Sequence, residues 1–258
     1  SEGASALTSM MGKGWYVGVK LLLTAPGIAV NAPDTYGWTP LIGAVIYGRE
    51  AIVKLLLAAP GIDVNAPDTD GRTPLSFAAG SGREAVVKLL LAAPGIDANA
   101  PDADRKTPLI FATANGYEAV AKLLLATPGI DVNAPGTNER TPLIFAAGGG
   151  HAAVVKLLLA APGIDINATD TDGWTSLIFA ARIGHVAVVK LLLAAPGIDV
   201  NAPDATGWTP LIIAARHGYE AIVKLLLAAP GINVNGAERS GWTALIFAAF
   251  KGREAIIQ

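Results

Sequence analysis

Residues 204–237 read DATGWTPLIIAARHGYEAIVKLLLAAPGINVNGA, and this stretch decides the fold. Thr209 and Pro210 form a helix start signal, because threonine caps a helix N-terminus and proline suits the first helical position. Apolar residues continue to Gly218, where this first helix is expected to end. A second helix is expected to begin near Glu220, whose carboxylate favours the positive end of the helix dipole, and to stop before the Pro-Gly pair. The stretch therefore predicts two short helices followed by a loop or hairpin.

The apolar side chains of both predicted helices are expected to be buried. They are Leu211, Ile212, Ala214 and Ala215 in the first helix, and Ile222, Val223, Leu225, Leu226 and Leu227 in the second. Helices of this length are marginally stable alone in water, so stacking against neighbouring copies must bury their apolar faces. In the hairpin that follows, Ser240 and Gly241 are expected to form the turn.

The same unit recurs with a period of 34 residues. The repeated threonines are Thr39, Thr73, Thr107, Thr141, Thr175, Thr209 and Thr243. The repeated lysines each open a KLLL sequence, and they are Lys20, Lys54, Lys88, Lys122, Lys156, Lys190 and Lys224. Six complete units occupy residues 34–237, with a partial unit on either side.

The combination of TPL, Ala-Ala, Gly, KLLL and GIDVN resembles the ankyrin repeat, and the resemblance covers nearly the whole chain. It implies an all-α solenoid of stacked helix-turn-helix pairs with hairpin loops, as a single elongated, curved ankyrin repeat domain over residues 1–258. Within this domain, residues 1–33 are interpreted as an N-terminal capping-like repeat, 34–237 as six complete repeats and 238–258 as a truncated last repeat. The unfinished last helix, which stops at Gln258, indicates a fragment of a longer protein.

One departure from the family pattern concerns the histidine of TPLH, which is Ile or Ser in every complete unit. The replacing residues are Ile42, Ser76, Ile110, Ile144, Ile178 and Ile212. The hydrogen bonds that this histidine supplies in the family must therefore be made by other groups or be lost.

Composition disfavours several classes of function. The chain is 52% hydrophobic and 16% charged, which predicts a packed core rather than disorder. Its net charge of −2 argues against nucleic-acid binding, and its uncharged stretches are too short to span a bilayer. Without cysteine there are no disulfides, thiolate catalysts or cysteine zinc sites. We expect a monomer that binds neither nucleic acid nor membrane, with the cytoplasm as the default location and the nucleus as an alternative.

No catalytic motif is present, so we expect neither enzymatic activity nor a cofactor or metal. His151 and His185 stand at equivalent positions one repeat apart. Neighbouring helices pack about 8–10 Å apart, too far to share a zinc ion, so these are interpreted as surface histidines at the start of the second helix. A row of identical aspartates predicts a repeated structural hydrogen bond. The row is Asp63, Asp97, Asp131, Asp165 and Asp199.

In a repeat array, function lies in the columns that change while the frame stays constant. Ankyrin repeats contact partners mainly through hairpin tips and first helices, which line a concave groove. The resemblance therefore implies a binding surface in three columns: the hairpin tip, the residue before TPL and the end of the first helix. The candidate partner-binding residues are Tyr36, Trp38, Tyr47, Asp70, Arg72, Asp104, Lys106, Asn115, Asn138, Arg140, Trp174, Arg182, Trp208, Arg216 and Trp242.

Three consecutive repeats carry a cation before TPL. Arg72, Lys106 and Arg140 stand above first-helix ends of small residues, with Trp38 on one side and Trp174 on the other. Arginine between aromatic residues is favoured in binding hot spots. This basic centre predicts a protein partner with an acidic or C-terminal segment. For the tryptophans before TPL, packing on a neighbouring hairpin as scaffold is the alternative to a binding role.

Arg105 and Glu139 replace the glycine that precedes this column in the other repeats. If the position requires a positive φ, a side chain there costs about 1 kcal/mol. Two such exceptions in adjacent repeats indicate a functional site, and sequence drift is the alternative interpretation.

Three functions are compatible with these observations. The first is a non-catalytic protein–protein interaction module that binds through the groove. The second is a region that senses a partner or ligand, excised from a larger receptor such as a fungal innate-immune-type NTPase. The third is an engineered consensus ankyrin scaffold, against which the irregular first unit argues.

Overall fold

The computed structural model describes residues 2–257, with side chains from Leu7 onward except residue 9. Ser1 and Gln258, the ends of the predicted domain, lie outside the described residues. Within residues 2–257 the chain forms helices joined by turns and hairpins and contains no strand; isolated β-bridges join Thr169 to Thr175 and Ala237 to Thr243. The predicted all-α repeat solenoid is confirmed as the fold.

The described residues contain sixteen α-helices, which pair repeat by repeat. They are α1 Glu2–Lys13, α2 Tyr16–Leu22, α3 Pro40–Ile46, α4 Glu50–Leu57, α5 Pro74–Gly80, α6 Glu84–Leu91, α7 Pro108–Ala114, α8 Glu118–Leu125, α9 Pro142–Gly148, α10 Ala152–Leu159, α11 Ser176–Ile183, α12 Val186–Leu193, α13 Pro210–His217, α14 Glu220–Leu227, α15 Ala244–Phe250 and α16 Glu254–Ile257.

In the six complete repeats the first helix begins after a capping threonine, as the sequence predicts. In α13 the Oγ1 of Thr209 accepts the N–H of Ile212 at 3.3 Å, and Pro210 opens the helix. Gly218 ends α13 in the left-handed conformation. The threonine hydroxyl therefore caps the helix by accepting the N–H of the residue that replaces the family histidine. The isoleucine that replaces the histidine is buried instead, as Ile178 shows.

The second helix buries one face, which is narrower than the sequence predicts. In α14 the side chains of Ile222, Val223 and Leu226 are buried, as expected. Leu225 is half-buried, and the prediction that Leu227 is buried is wrong, because Leu227 is 47% exposed. The reason is geometric: successive residues of a helix are about 100° apart, so three consecutive leucines spread over about 200° and cannot all face the core.

Stacking buries the remaining apolar surface between like helices. The described residues form two compact units, one made of residues up to Ala112 with Tyr117–Asp131, the other of Thr113–Gly116 with residues from Val132 onward. In the first unit α3 contacts α1 and α5, while α4 contacts α2 and α6. In the second unit α11 contacts α9 and α13, while α12 contacts α10 and α14. First helices thus pack on first helices, and second helices on second helices.

None of the helices in the described residues is both long and apolar enough to cross a membrane. The second helices are eight residues long in the complete repeats, where a bilayer requires about 20. Their apolar character is therefore explained by burial within the stack.

Candidate partner-binding surface

A carboxylate at the first position holds most of the hairpins. The Oδ1 of Asp34 accepts the N–H groups of Tyr36 and Trp38, both at 2.9 Å. The same pair of bonds recurs at Asp68, Asp102, Asp170 and Asp204. These bonds fix the backbone at the hairpin tip and at the residue before TPL, and so position two of the three predicted columns.

Glu238 takes the place of the aspartate in the last hairpin. Its carboxylate accepts the N–H of Ser240 at 2.9 Å and that of Trp242 at 3.1 Å. Hydrogen bonds from these two N–H groups, the one from Ser240 first, hold the pKa of Glu238 below its ordinary value of 4.5. The longer side chain therefore keeps the function of the aspartate as an acceptor.

The tryptophans before TPL are half-buried and pack on aromatic residues of the first helices. The ring centroids of Trp174 and Phe179 are 5.0 Å apart, and those of Trp208 and Phe247 are 4.7 Å apart. Such pairs contribute about 0.5–1.5 kcal/mol beyond the area that they bury. Each indole thus packs against the scaffold and is only partly exposed.

Two of the three cations of the predicted basic centre are balanced by carboxylates of the first unit. Nη2 of Arg72 lies 2.8 Å from Oδ2 of Asp68 and 2.8 Å from Oδ2 of Asp70, and the guanidinium lies over the ring of Phe77. Nζ of Lys106 lies 3.2 Å from Oδ2 of Asp104. Both cations therefore present less net charge than the sequence implies.

The third cation, Arg140, belongs to a hairpin of the second unit that lacks the acidic residue found at the first position of the other hairpins. Gly136 occupies the position of the aspartate there. Nε of Arg140 instead lies 3.1 Å from Oδ2 of Asp170 in the next repeat, and its guanidinium lies over Phe179. The side chain of Asp170 is fully buried, so it has to be paired. The prediction that Arg72, Lys106 and Arg140 bind an acidic segment stays a prediction, but each of the three already has a carboxylate partner.

Arg105 and Glu139 adopt the left-handed conformation that the glycines adopt in other repeats. Their φ values are +65° and +61°, compared with +80° at Gly71 and +77° at Gly173. The condition set by the sequence, that this position needs a positive φ, is therefore confirmed. In the hairpin of Glu139 the preceding Asn138 is also left-handed, at +58°, so this turn differs from the others in two consecutive residues.

A cavity of about 600 Å³ lies in the second unit between hairpin tips and first-helix ends. Its walls include Trp174 and Trp208, each with an arginine above its ring. The Cζ of Arg182 is 4.3 Å from the centroid of Trp174, and that of Arg216 is 4.8 Å from the centroid of Trp208. The structure thus brings four of the predicted site residues together around one space.

A family model described as ankyrin repeats in three copies matches residues 1–68, 61–136, 129–204 and 200–258. These matches together run along the entire chain. The chain belongs to the ankyrin repeat family. Ankyrin repeats are generally protein–protein interaction modules and are typically non-catalytic. No curated protein matches the sequence at a significant level.

The other candidate residues of this ankyrin repeat protein are distributed along both units. In the first unit Tyr36 is exposed and its ring lies 5.6 Å from that of Trp38, while Tyr47 is exposed beside Gly12. In the second unit Asn115 and Asn138 are exposed. Trp242 lines a smaller recess of about 400 Å³ together with Trp208 and Arg216.

A fourth column, at the residue before the second helix, was missed by the sequence reasoning. Several arginine and histidine side chains of this column reach back to carbonyl groups at the end of the preceding repeat's first helix. Nη2 of Arg83 donates to the Ile46 carbonyl at 2.7 Å, and Nε2 of His151 lies 3.0 Å from the Ala114 carbonyl. These bonds satisfy carbonyl groups that a helix end leaves unpaired. The signal was present, since Arg and His recur 34 residues apart after a glycine.

His185 repeats this arrangement, with Nε2 placed 3.2 Å from the carbonyl of Gly148. Both histidines precede a second helix, as predicted, but they are half-buried rather than freely exposed. Their imidazoles therefore connect neighbouring repeats by hydrogen bonds. In the part of the chain that the structure describes, no group of three or more His, Asp or Glu could hold a metal ion.

The repeated aspartates make a structural hydrogen bond, as the sequence predicts. The Oδ1 of Asp63 accepts the N–H of Asn65 at 2.9 Å, and Asp97 and Asp199 accept the equivalent bond. The asparagines two residues later extend this into a ladder between repeats. Nδ2 of Asn65 donates to the carbonyl of Gly95 at 2.7 Å, while its Oδ1 accepts the N–H of Asp97. The ladder assigns these side chains to the scaffold.

Proposed function

We propose that this ankyrin repeat protein is a non-catalytic module that binds a protein partner along one face. This hairpin face consists of the hairpin tips and the ends of the first helices. The cavity between Trp174 and Trp208 is the observation that supports the proposal. It combines half-buried aromatic walls with exposed arginines, and this is the composition that binding hot spots favour.

The residues of the scaffold also support this proposal, because they are occupied in structural hydrogen bonds. Aspartates, asparagines and histidines, the groups that could serve acid–base chemistry, are used in hydrogen bonds that hold hairpins and neighbouring repeats together. The hairpin tips and first-helix ends are where the repeats differ. Chain-specific recognition is therefore expected on the hairpin face, without catalysis by the repeats themselves.

A photo-crosslinking amino acid placed at Thr206 tests the proposal in a lysate of the protein's source cells. Thr206 is an exposed hairpin tip that lines the cavity. The same group at Lys190, exposed on the second helix α12, is the matched control. We expect a discrete partner to be crosslinked from Thr206 and not from Lys190. The same products from both positions, or products from Lys190 alone, would contradict the proposal.

A further inference from the structure

The cations around the cavity of the second unit differ from those of the predicted basic centre in one respect. Arg72, Lys106 and Arg140 each lie within 3.2 Å of a carboxylate oxygen. Among the described residues, no ion pair joins Arg182, Arg216, Lys251 or Arg253 to a carboxylate, although all four line the cavity. This group, which we call the open cation cluster, therefore carries unbalanced positive charge.

The cavity wall contains one acidic residue, Asp204, which offsets only part of the charge of the four cations. Asp204 is occupied within its own hairpin, where Oδ1 accepts the N–H groups of Thr206 and Trp208 and the hydroxyl of Thr206 at 2.7–2.9 Å. A further carboxylate, from Glu238, lies in the adjoining recess and holds its own turn. The second unit thus has a local excess of cations, and the nearby carboxylates of Asp204 and Glu238 accept hydrogen bonds within their own turns.

Stacking on tryptophan orients the two arginines. A guanidinium that lies over an aromatic ring keeps the N–H groups at its edge free, and these match a carboxylate in a bidentate arrangement. Arg182 and Arg216 hold such positions at 4.3 Å and 4.8 Å from their rings. Because the rings restrict the side chains, less conformational entropy is lost when a ligand binds.

The spacing of the arginines selects the shape of the ligand. Arg182 and Arg216 occupy equivalent positions on α11 and α13, and packed helices are about 8–10 Å apart. A peptide in the extended polyproline II conformation rises about 3.1 Å per residue and completes a turn every three residues, so side chains three residues apart lie on the same side, about 9 Å apart. Two carboxylates with this separation can each meet one arginine.

We propose that the open cation cluster binds an extended acidic segment of a protein partner, with carboxylates about three residues apart. The inference rests on the proposed function and names the chemistry of the partner. The half-buried walls Trp174 and Trp208 and the buried Ile213 favour a single chain with apolar residues between its acids. The net charge of −2 and the acidic hairpin tips disfavour larger polyanions, such as duplex nucleic acid or an anionic membrane.

Fluorescence anisotropy with a labelled peptide tests the inference. The probe is a short synthetic peptide that carries glutamate at every third position, leucine or valine beside some of the glutamates, and glycine or serine elsewhere. The comparison peptide has glutamine in place of glutamate. We expect the glutamate peptide to bind at least about 10-fold more tightly, and binding to weaken as salt rises, because the pairing is electrostatic.

The double variant Arg182→Gln, Arg216→Gln is expected to weaken binding of the glutamate peptide at least about 10-fold. Lys156→Gln, Lys190→Gln is the matched control, since it removes the same charge from exposed second-helix positions. Circular dichroism and thermal melting establish that both variants are folded. Equal loss in both variants, equal binding of the two peptides, or no binding of the glutamate peptide would overturn the inference.

Two further probes separate the sources of negative charge. Vesicles that contain phosphatidylserine and single-stranded RNA are titrated against the same proteins. Tighter binding of either one than of the glutamate peptide, lost in the arginine variant, would also overturn the inference. A different result would contradict the proposed function, namely the same crosslinked products from Thr206 and Lys190, or products from Lys190 alone. A partner crosslinked at Thr206 that lacks acidic segments would overturn this inference alone.

Discussion

At the scale of single residues, a few glycines allow the backbones of successive hairpins to approach closely. Gly173 has a φ of +77°, and a Cβ placed there would lie 2.8 Å from the backbone nitrogen of Ala205. That nitrogen donates to the carbonyl of Asp172 at 2.9 Å, which links two successive hairpins. A side chain at position 173 would therefore have to adopt the left-handed backbone and also make room beside the next hairpin.

Gly173→Ala is expected to lower the free energy of unfolding more than Gly197→Ala. Gly197 also has a positive φ, +82°, but a Cβ there would meet nothing within 4 Å. Its substitution should cost about 1 kcal/mol from backbone strain alone. At Gly173 the clash should add about 1–3 kcal/mol. Urea denaturation of the two variants measures the difference, and equal losses would show that the close approach is unimportant.

At the scale of elements, hydrogen bonds from asparagine connect each repeat to the next. Nδ2 of Asn167 donates to the carbonyl of Gly197 at 2.8 Å, and Oδ1 of Asn167 accepts the N–H of Asp199 at 2.9 Å. One side chain thus satisfies two backbone groups in the loop of the following repeat. The ladder complements the packing of like helices, which provides no such directional contact.

Asn167→Ala is expected to lower the free energy of unfolding by about 1–2 kcal/mol, because two hydrogen bonds are lost at a half-buried site. Asn235 occupies the equivalent position in the final loop, and its side chain makes no hydrogen bond among the described residues. Asn235→Ala is therefore the control and should change stability by less than about 0.5 kcal/mol. Equal effects in a chemical denaturation experiment would argue against the ladder as a stabilising element.

At the scale of the whole molecule, the buried apolar side chains of the described residues are distributed over the successive repeats of both units. Each repeat buries a few large residues against its neighbours, as Leu192 is buried in the second unit. In such arrays stability is roughly a sum of repeat terms and nearest-neighbour terms. Damage to one repeat is therefore expected to be felt most strongly in the adjacent repeats.

Leu192→Ala is expected to lower the free energy of unfolding by about 2–5 kcal/mol, since it removes a fully buried side chain. Leu227→Ala is the control, because Leu227 is 47% exposed. Hydrogen–deuterium exchange should show lost protection in the repeat of Leu192 and its immediate neighbours. A uniform loss along the whole chain would contradict nearest-neighbour stability and indicate a single cooperative transition.

The period, the helix starts and the strained turn positions follow from the sequence by itself. Threonine and proline before an apolar run determine a helix start locally, and a glycine column predicts positive φ wherever the chain repeats. This is why the left-handed backbone at Arg105 and Glu139 could be anticipated from two substitutions. Such features depend on residues that are neighbours in the sequence.

Only the tertiary structure decided which charges are available. Arg72 and Arg182 look equally basic in the sequence, yet Arg72 is paired with Asp68 while Arg182 lies over Trp174 without a carboxylate partner among the described residues. Arg140 takes its partner from the following repeat, 30 residues away in the chain. Ion pairing depends on distances of a few ångströms, and the rotamers and the packing of adjacent repeats set those distances. The period of a sequence carries no such information.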